Sequence, residues 1–498
     1  MKKIGIGYED YKEFIDKDMY YVDKTLLIRD ILEKGGKVTL FTRPRRFGKT
    51  LALSMMRTFF ELEYDKEGNA EDKRRYFEGM KIMDAGKDIL SMMGQYPVIN
   101  LSLKSAKQPD FYGAFMKLRE DIIREFGRHD YICRSDRITE DKKKEFNELL
   151  NGFSIWNEKE KSFSGREDKA EAFKEEVSKY ATSIKTLSEC LRFHHDKKVI
   201  ILLDEYDVPL ENAFQSGFYP EMTGFIRSLF ESALKTNDAL ELAVVTGCLR
   251  ISKESIFTGL NNLKVNSIRG MDFGEYFGFT QEETKTMLKA YGLESNVGIV
   301  RDWYDGYLFG EAEVYNPWSV ITYVSEHRGA PDRLAEPYWS NTSSNSIIKD
   351  LVYNADEGIK EELEGLIEGG TIEKQLHEDI TYDEIDKSED NLWNFLFYTG
   401  YLRMVSERHD GNEIYATMRI PNREVGSIYS NHIRGWFDGI VKESDRNTLF
   451  DAILNKTTEN IEKYITDLLE KSISTLTALR AFIMVCCCRC CPGCRGTA

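Results

Sequence analysis

Lys37-Val38-Thr39-Leu40-Phe41-Thr42-Arg43-Pro44-Arg45-Arg46-Phe47-Gly48-Lys49-Thr50 passes from a β-prone apolar segment through a cationic turn into a helical pattern. Residues 37–41 read as a short buried strand. From Lys49 the segment KTLALSMMRTFFELE places apolar residues at helical spacing. Such a strand–turn–helix can curl its N–H groups around a β-phosphate, reach the β/γ oxygens with a lysine and offer a hydroxyl to Mg²⁺. Gly48, Lys49 and Thr50 fill the last three positions of G-x-x-x-x-G-K-[ST], but Arg43 stands where that pattern begins with glycine. The tripeptide alone is a weak signal; its position between strand and helix gives it weight. Arg45, Arg46, Phe47, Gly48, Lys49 and Thr50 are the candidate nucleotide-binding residues. Arg43, Arg45 and Arg46 offer charge-assisted contacts to a triphosphate, with one or two of them on nucleotide and the rest facing the sheet or a partner.

Working outward, Pro97–Leu103 reads as a second strand, and Val199-Ile200-Ile201-Leu202-Leu203 is the strongest buried-strand signal, ending in Asp204-Glu205. Leu240–Gly247 is a further strand after an amphipathic helix. Strands alternating with helices predict an α/β fold with a mostly parallel sheet covered on both faces. In phosphate-hydrolysing sites an Asp on an apolar strand holds the Mg²⁺ shell, and an adjacent Glu polarises the attacking water. Lys49 and Asp204 both stand at the C-terminal edge of predicted strands, where open α/β sheets bind ligands. The bland alternative is a turn lysine and a strand-ending acidic cap, unrelated to each other. Thr246 either senses the γ-phosphate and orients water or simply ends its strand. Arg250 either stabilises transition-state charge, as an arginine finger does, or is a surface arginine. Acting in trans, it requires an oligomer.

Composition narrows the classes. With 498 residues, about three domains are expected. Hydrophobic residues at 41% can build a core, which excludes a wholly disordered chain. The net charge of −16 disfavours passive nucleic-acid binding across the chain but permits a local basic groove. There is no apolar run of the ~18 residues a membrane span needs. MKKIGIGYEDYKEF lacks a secretory apolar stretch, so a cytoplasmic protein with no membrane contact is expected.

Cys133, Cys190 and Cys248 are scattered singly, whereas Cys486, Cys487, Cys488, Cys490, Cys491 and Cys494 crowd a foreign-looking tail. Adjacent thiols fit zinc poorly. Read one nucleotide earlier, one codon choice for Phe482–Gly493 gives LYHGMLLQVLSG, which resembles the continuation of related chains into a nuclease region, so a frameshifted tail is the expectation. His194-His195 reads as a surface pair, and the aromatic clusters near Trp303 and Trp318 as packing rather than base-stacking platforms. The expected division is an ATPase domain at 1–270 with a charged helical insertion at about 105–190, including a solvated arm at 139–169. A helical lid follows at 271–349, with a winged-helix-like arrangement as one option. A helical C-terminal region covers 350–480, and the aberrant tail 481–498.

Tyr21-Val22-Asp23-Lys24-Thr25, FTRPRRFGKT, LLDEYDVPLE, TGCLRISKESIFTGLNNL, FGFTQEE, WYDGYLFG and YNPWSV, in that order, resemble the AAA-ATPase-like family of bacterial P-loop proteins over residues 3 to 325. The resemblance implies a P-loop NTPase of the additional-strand type, followed by a mainly helical C-terminal region. It implies Lys49 and Thr50 as Walker A, Asp204 and Glu205 as Walker B, and tolerance of Arg at position 43. It also implies ATP and Mg²⁺ as cofactors. Such chains often carry a C-terminal PD-(D/E)xK nuclease domain. Asp451 and Glu459–Lys463 offer its residue types only on a helical pattern, so the nuclease core is expected to be missing. The leading expectation is Mg²⁺-dependent ATP hydrolysis driving a conformational change. The alternatives are a non-hydrolysing nucleotide switch or scaffold, and the ATPase half of a nucleic-acid-processing system with a nucleic acid or protein partner. Glu205 favours the enzyme, since a binding-only switch has less need of a general base.

Overall fold

Runs of aliphatic and β-branched residues form the centre of the fold in the computed structural model. The structure describes residues 1–440 apart from 65–66, 153–155, 158–161, 164–168, 251–255, 258–260, 340–356, 378–381 and 383–387. The strands are β1 (Val38–Thr42), β2 (Val98–Ser102), a two-residue pair β3 (Trp156–Asn157) and β4 (Ser162–Phe163), β5 (Val199–Asp204), β6 (Leu240–Gly247) and β7 (Leu263–Asn266). Five of them make one sheet in the order β2-β5-β6-β1-β7, and every pairing is parallel. Every residue of β1 and of β5 is buried, as expected of a parallel sheet covered by helices on both faces. β6 separates β1 from the acidic strand β5, which is the additional strand expected.

Register decides which residues meet at the sheet edge. Thr42 pairs with Gly247, Leu203 with Val245 and Ser102 with Asp204. The C-terminal ends of β1, β5 and β6 therefore reach one edge together, and the helix Lys49–Phe60 starts there.

The helices Gln281–Ala290, Val297–Tyr304 and Pro317–His327 share a second apolar core around Leu288, Val300, Tyr304 and Tyr323. Ile4, Tyr20 and Val22 of the N-terminal segment pack against it. Beyond them a three-stranded antiparallel sheet, β10-β12-β11, lies among helices Glu357–Ile367, Glu389–Tyr398 and Arg423–Ile440; its strands are β10 (Ile372–Gln375), β11 (Arg403–Asp410) and β12 (Glu413–Arg419).

The structure corrects several local readings. β7, the fifth strand of the main sheet, was not expected; LKVN offers only four residues, two of them polar, and its place is set by pairing with β1. The helical lid also contains a hairpin of β8 (Tyr307–Phe309) and β9 (Ala312–Val314), too short for a period-2 signal. The helical reading of 350–480 lacks the β10-β12-β11 sheet, because β11 is exposed along most of its length and carries no buried face to reveal it. The solvated arm opens as a packed helix, Glu140–Asn151, that buries Phe146 and Leu149. Residues 441–498, which hold Asp451, Glu459–Lys463 and the cysteine-rich tail, lie outside the described residues.

Candidate functional site

The helix Lys49–Phe60 begins at Gly48, whose φ of 83° places it in the left-handed region and whose hydrogen side chain cannot cap the helix. The first N–H groups of that helix therefore point outward with no side-chain cap, an arrangement that favours anions. Arg46 is also left-handed, with φ 71°. Lys49 is buried, and its Nζ donates to the carbonyls of Arg43 and Pro44, both at 2.9 Å.

Beneath the loop, two hydroxyls converge on one carboxylate. Thr50 Oγ1 donates to Asp204 Oδ2 at 2.6 Å, and Thr246 Oγ1 donates to Asp204 Oδ1. β1 leads into Thr50, β5 ends in Asp204 and β6 carries Thr246, so the aligned strand ends create this cluster. Glu205 follows at once with φ 52°, a costly conformation for a residue with a side chain and one that tends to mark functional sites. Burial, and then the neighbouring Asp204 charge, push its carboxyl pKa above the ordinary glutamate value.

The turn after β6 is pinned as well. Asp207 Oδ2 accepts from the N–H groups of Cys248 at 2.7 Å and Leu249 at 3.1 Å. A Cβ on Gly247 would stand 2.5 Å from the Tyr206 ring, so only glycine fits there. Burial raises the Cys248 thiol to about 11, which keeps it protonated near Lys49.

These elements open onto a cavity of about 490 Å³, lined by Arg45 to Ala52, Glu205, Lys104 and Lys107, the N-terminal segment and the lid residues Phe279 and Trp318. That volume lies within the range of small-molecule sites. Mg²⁺ binds through one or two carboxylates plus substrate phosphates and keeps several waters, which the Thr50–Asp204 pair fits. Among the described residues no cluster of three or more His, Cys, Asp or Glu gathers to hold a metal by itself.

The expected residues divide into two groups. Gly48, Lys49, Thr50, Asp204, Glu205 and Thr246 come together. The Phe47 side chain turns away and packs on Tyr307 and Phe309, at 4.8 and 5.1 Å between ring centroids, leaving only its backbone toward the loop. Arg250 is half-buried and is not among the cavity-lining residues. Arg45 forms an ion pair with Glu211, and Arg46 lies 4.4 Å from the Trp318 ring centroid.

Arg43 is fully buried, 5.3 Å from the Phe277 ring centroid and 5.1 Å from that of Phe309, and donates to Thr42 O and Asn266 O. Burial lowers its pKa to about 9. Its side chain leaves the loop altogether, so a large residue is tolerated at the motif's first position.

Other site residues escaped the sequence reading. Trp318 packs against the lid core, as expected, and also lines the cavity. Lys104 and Lys107 flank the cavity from the segment after β2, with no motif to announce them. Asp207 and Glu211 stand one helical turn apart in DVPLE, a spacing that could have signalled two carboxylates facing the loop. His194 and His195 are half-buried rather than on the open surface, bonded to Ser135 and Tyr131 in a separate polar cleft.

A parallel sheet with an added strand, a Gly-Lys-Thr turn at its edge and an acidic strand end beneath define a P-loop nucleotide-binding protein. Residues 5–257 match the family described as predicted AAA-ATPase. The chain belongs to that family. An uncharacterized protein encoded in the vnfD 5′ region of Azotobacter chroococcum mcd 1 is 25% identical over 432 residues, 85% of this chain and 68% of that protein. The Walker-type ATPase PABY2304 of Pyrococcus abyssi aligns with 86% of this chain and 98% of its own at 12% identity. Its TM-score is 0.37.

Proposed function

We propose that this protein binds ATP at the Gly48–Thr50 turn, hydrolyses it with Mg²⁺ and uses the cycle to drive a conformational change. The observation that supports this best is the convergence of Thr50 and Thr246 on Asp204, with Glu205 lining the same cavity. The bare N-terminus of the Lys49–Phe60 helix receives the phosphates. Lys49 exchanges its two loop carbonyls for β/γ oxygens. Thr50 and Asp204 hold Mg²⁺, which supplies neutralisation of phosphate charge when bound. Glu205 takes the proton of the attacking water, and its raised pKa brings it nearer to working pH, where general bases are most effective. Thr246 is a positioning residue that orients Asp204. Arg45 and Arg46 add positive potential at the loop. Arg250 as a transition-state cation calls for a second copy of the chain. Among the described residues no helix is long and apolar enough to cross a membrane, and ATP supply makes the cytoplasm the natural compartment.

The test is steady-state Mg²⁺-ATP turnover and ATP binding for the wild-type chain, Lys49→Ala and Glu205→Gln. Wild-type turnover lost in both variants, with binding kept by Glu205→Gln, supports the reading. Binding without turnover in the wild type would point to the nucleotide-dependent switch instead. Absence of both in the wild type would refute the assignment.

A further inference from the structure

β2 brings a second lysine to the acidic strand end, on the side of β5 away from Lys49. Ser102 pairs with Asp204, and the Leu103 N–H donates to Asp204 O at 3.0 Å. Leu103 and Ala106 are buried, and Asn212 Nδ2 donates to Gln108 O at 2.6 Å. The short turn Lys104–Ala106 is thus pinned to β5 on one side and to the helix Val208–Ser216 on the other. Lys104 lines the same cavity as Glu205. Its bond to Glu9 raises its pKa, and the charges of Glu205 and Asp204 add to that.

The other cations around the loop are engaged elsewhere. Arg45 pairs with the buried Glu211, Arg46 rests on Trp318, and the Lys107 charge bears on Glu211. Lys104 Nζ instead meets Glu9 Oε2 at 2.7 Å, with both side chains about half exposed. Ion pairs in such exposure are weak, so a phosphate oxygen can displace the Glu9 carboxylate.

We infer that Lys104 is a ligand of the terminal phosphate, exchanging Glu9 for it and so distinguishing a bound triphosphate from a diphosphate. This rests on the nucleotide reading of the loop. With Lys49 on the β/γ oxygens and Glu205 on the attacking water, the terminal phosphate lies beside Glu205, where Lys104 is anchored. Lys104 supplies from within the chain a cation that Arg250 brings only from a second copy. Glu9 belongs to a segment tied to the Lys49–Phe60 helix by the Tyr11 N–H on Ser54 Oγ at 2.9 Å. The same segment is tied to the lid by the Tyr291 hydroxyl on Lys2 O at 2.9 Å. Release of Glu9 therefore carries the phosphate state to both.

The experiment is equilibrium binding of ADP and of the non-hydrolysable triphosphate AMP-PNP to the full chain with Mg²⁺. It is run for the wild type, Lys104→Met, Lys104→Arg, Glu9→Gln, the Glu9→Gln/Lys104→Met double variant and Lys49→Ala. Lys104→Met should weaken AMP-PNP about tenfold, the loss of one charge-assisted bond, and leave ADP unchanged. Lys104→Arg should restore most of that loss. Glu9→Gln removes the competitor and should tighten AMP-PNP about two- to fivefold with ADP again unchanged, a gain that the double variant should lose. Unchanged ADP affinity also shows that the variants fold. Equal effects of Lys104→Met on AMP-PNP and ADP, or none on either, with both ligands lost in Lys49→Ala, would overturn the role of Lys104 and leave the phosphate site standing. No binding of either ligand by the wild type would overturn the nucleotide reading itself, and the inference with it.

Discussion

Replacing Glu424 by Gln should make the protein more stable at neutral and alkaline pH. Glu424 lies in the first turn of Arg423–Ile440 and is fully buried. It accepts from Ser319 Oγ at 2.8 Å and from the Trp339 N–H at 2.8 Å. Burial dominates these bonds and raises its pKa from 4.5 to about 7. Burial holds the neighbouring Tyr304 and Tyr307 hydroxyls neutral, and a charge on Glu424 adds to that. A folded-state pKa above the unfolded one means that the native state binds the proton more tightly. The group's stabilising contribution is complete below about 4.5 and is lost as pH rises to about 7. At about 1.4 kcal/mol per pH unit, that gap is worth about 3 kcal/mol. Gln is neutral at every pH and keeps an acceptor for Trp339 and a polar partner for Ser319. Urea denaturation of both proteins at pH 4.5, 6, 7 and 8 should give equal stability at the acid end and a difference rising to about 3 kcal/mol at the other. Parallel curves across that range would refute the reasoning, because a simple packing change shifts all pH values alike.

Other substitutions probe the loop and its supports. Arg43→Gly restores the sequence pattern yet empties the space between Phe277 and Phe309; because it also removes a buried cation whose Nε and Nη2 have no partner, it should cost less in a denaturant titration than the ~2–4 kcal/mol of an apolar core deletion, and a larger loss would contradict this reading of Arg43. Thr246→Val removes one donor to Asp204 while preserving shape, so it should raise the Mg²⁺ concentration needed for half-maximal turnover several-fold with little effect on melting; an unaltered Mg²⁺ dependence would count against Thr246 as a positioning residue. Gly400→Ala places a Cβ 2.8 Å from Pro44 Cγ at a φ of 89°, and should lower stability by about 1–3 kcal/mol and weaken ATP binding. Calorimetry and ligand titration check both parts.

The sheet and its acidic strand end were legible because their residues are buried on both faces. Val199–Leu203 announces itself as an unbroken apolar run ending in Asp204, and Leu240–Gly247 does so nearly as clearly. β7 and β11 were not legible, since LKVN and RMVSERHD owe their strand form to neighbouring strands rather than to any apolar alternation of their own. The same contrast holds at the site. Gly48, Lys49 and Thr50 carry a local motif whose chemistry depends on spacing along the chain. Lys104, Lys107 and Trp318 enter the cavity from segments 50 to 270 residues away, and only the tertiary fold brings them there. Arg43 shows a third case: its identity was visible, but the direction of its side chain depends on Phe277, Phe309 and β7.

The bulky residues of RPRRF have a common explanation. Arg43 is inserted between Phe277 and the β8 residue Phe309 and bonded to β7. Pro44 touches Gly400 of the C-terminal region. Arg45 is paired with Glu211 of the helix Val208–Ser216. Arg46 rests on Trp318 of the lid helix Pro317–His327, and Phe47 on β8. Thus each variable position of the loop is attached to an element beyond the strand and helix it joins. These side chains therefore attach the loop to its surroundings, with the Arg45 and Arg46 charges kept beside the turn. Lys49 is held by the carbonyls of Arg43 and Pro44, the two residues anchored to β7, the lid hairpin and the C-terminal turn. In the proposed cycle, transfer of the lysine from those carbonyls to phosphate oxygens would act first on the residues that couple the loop to the lid and to the C-terminal region.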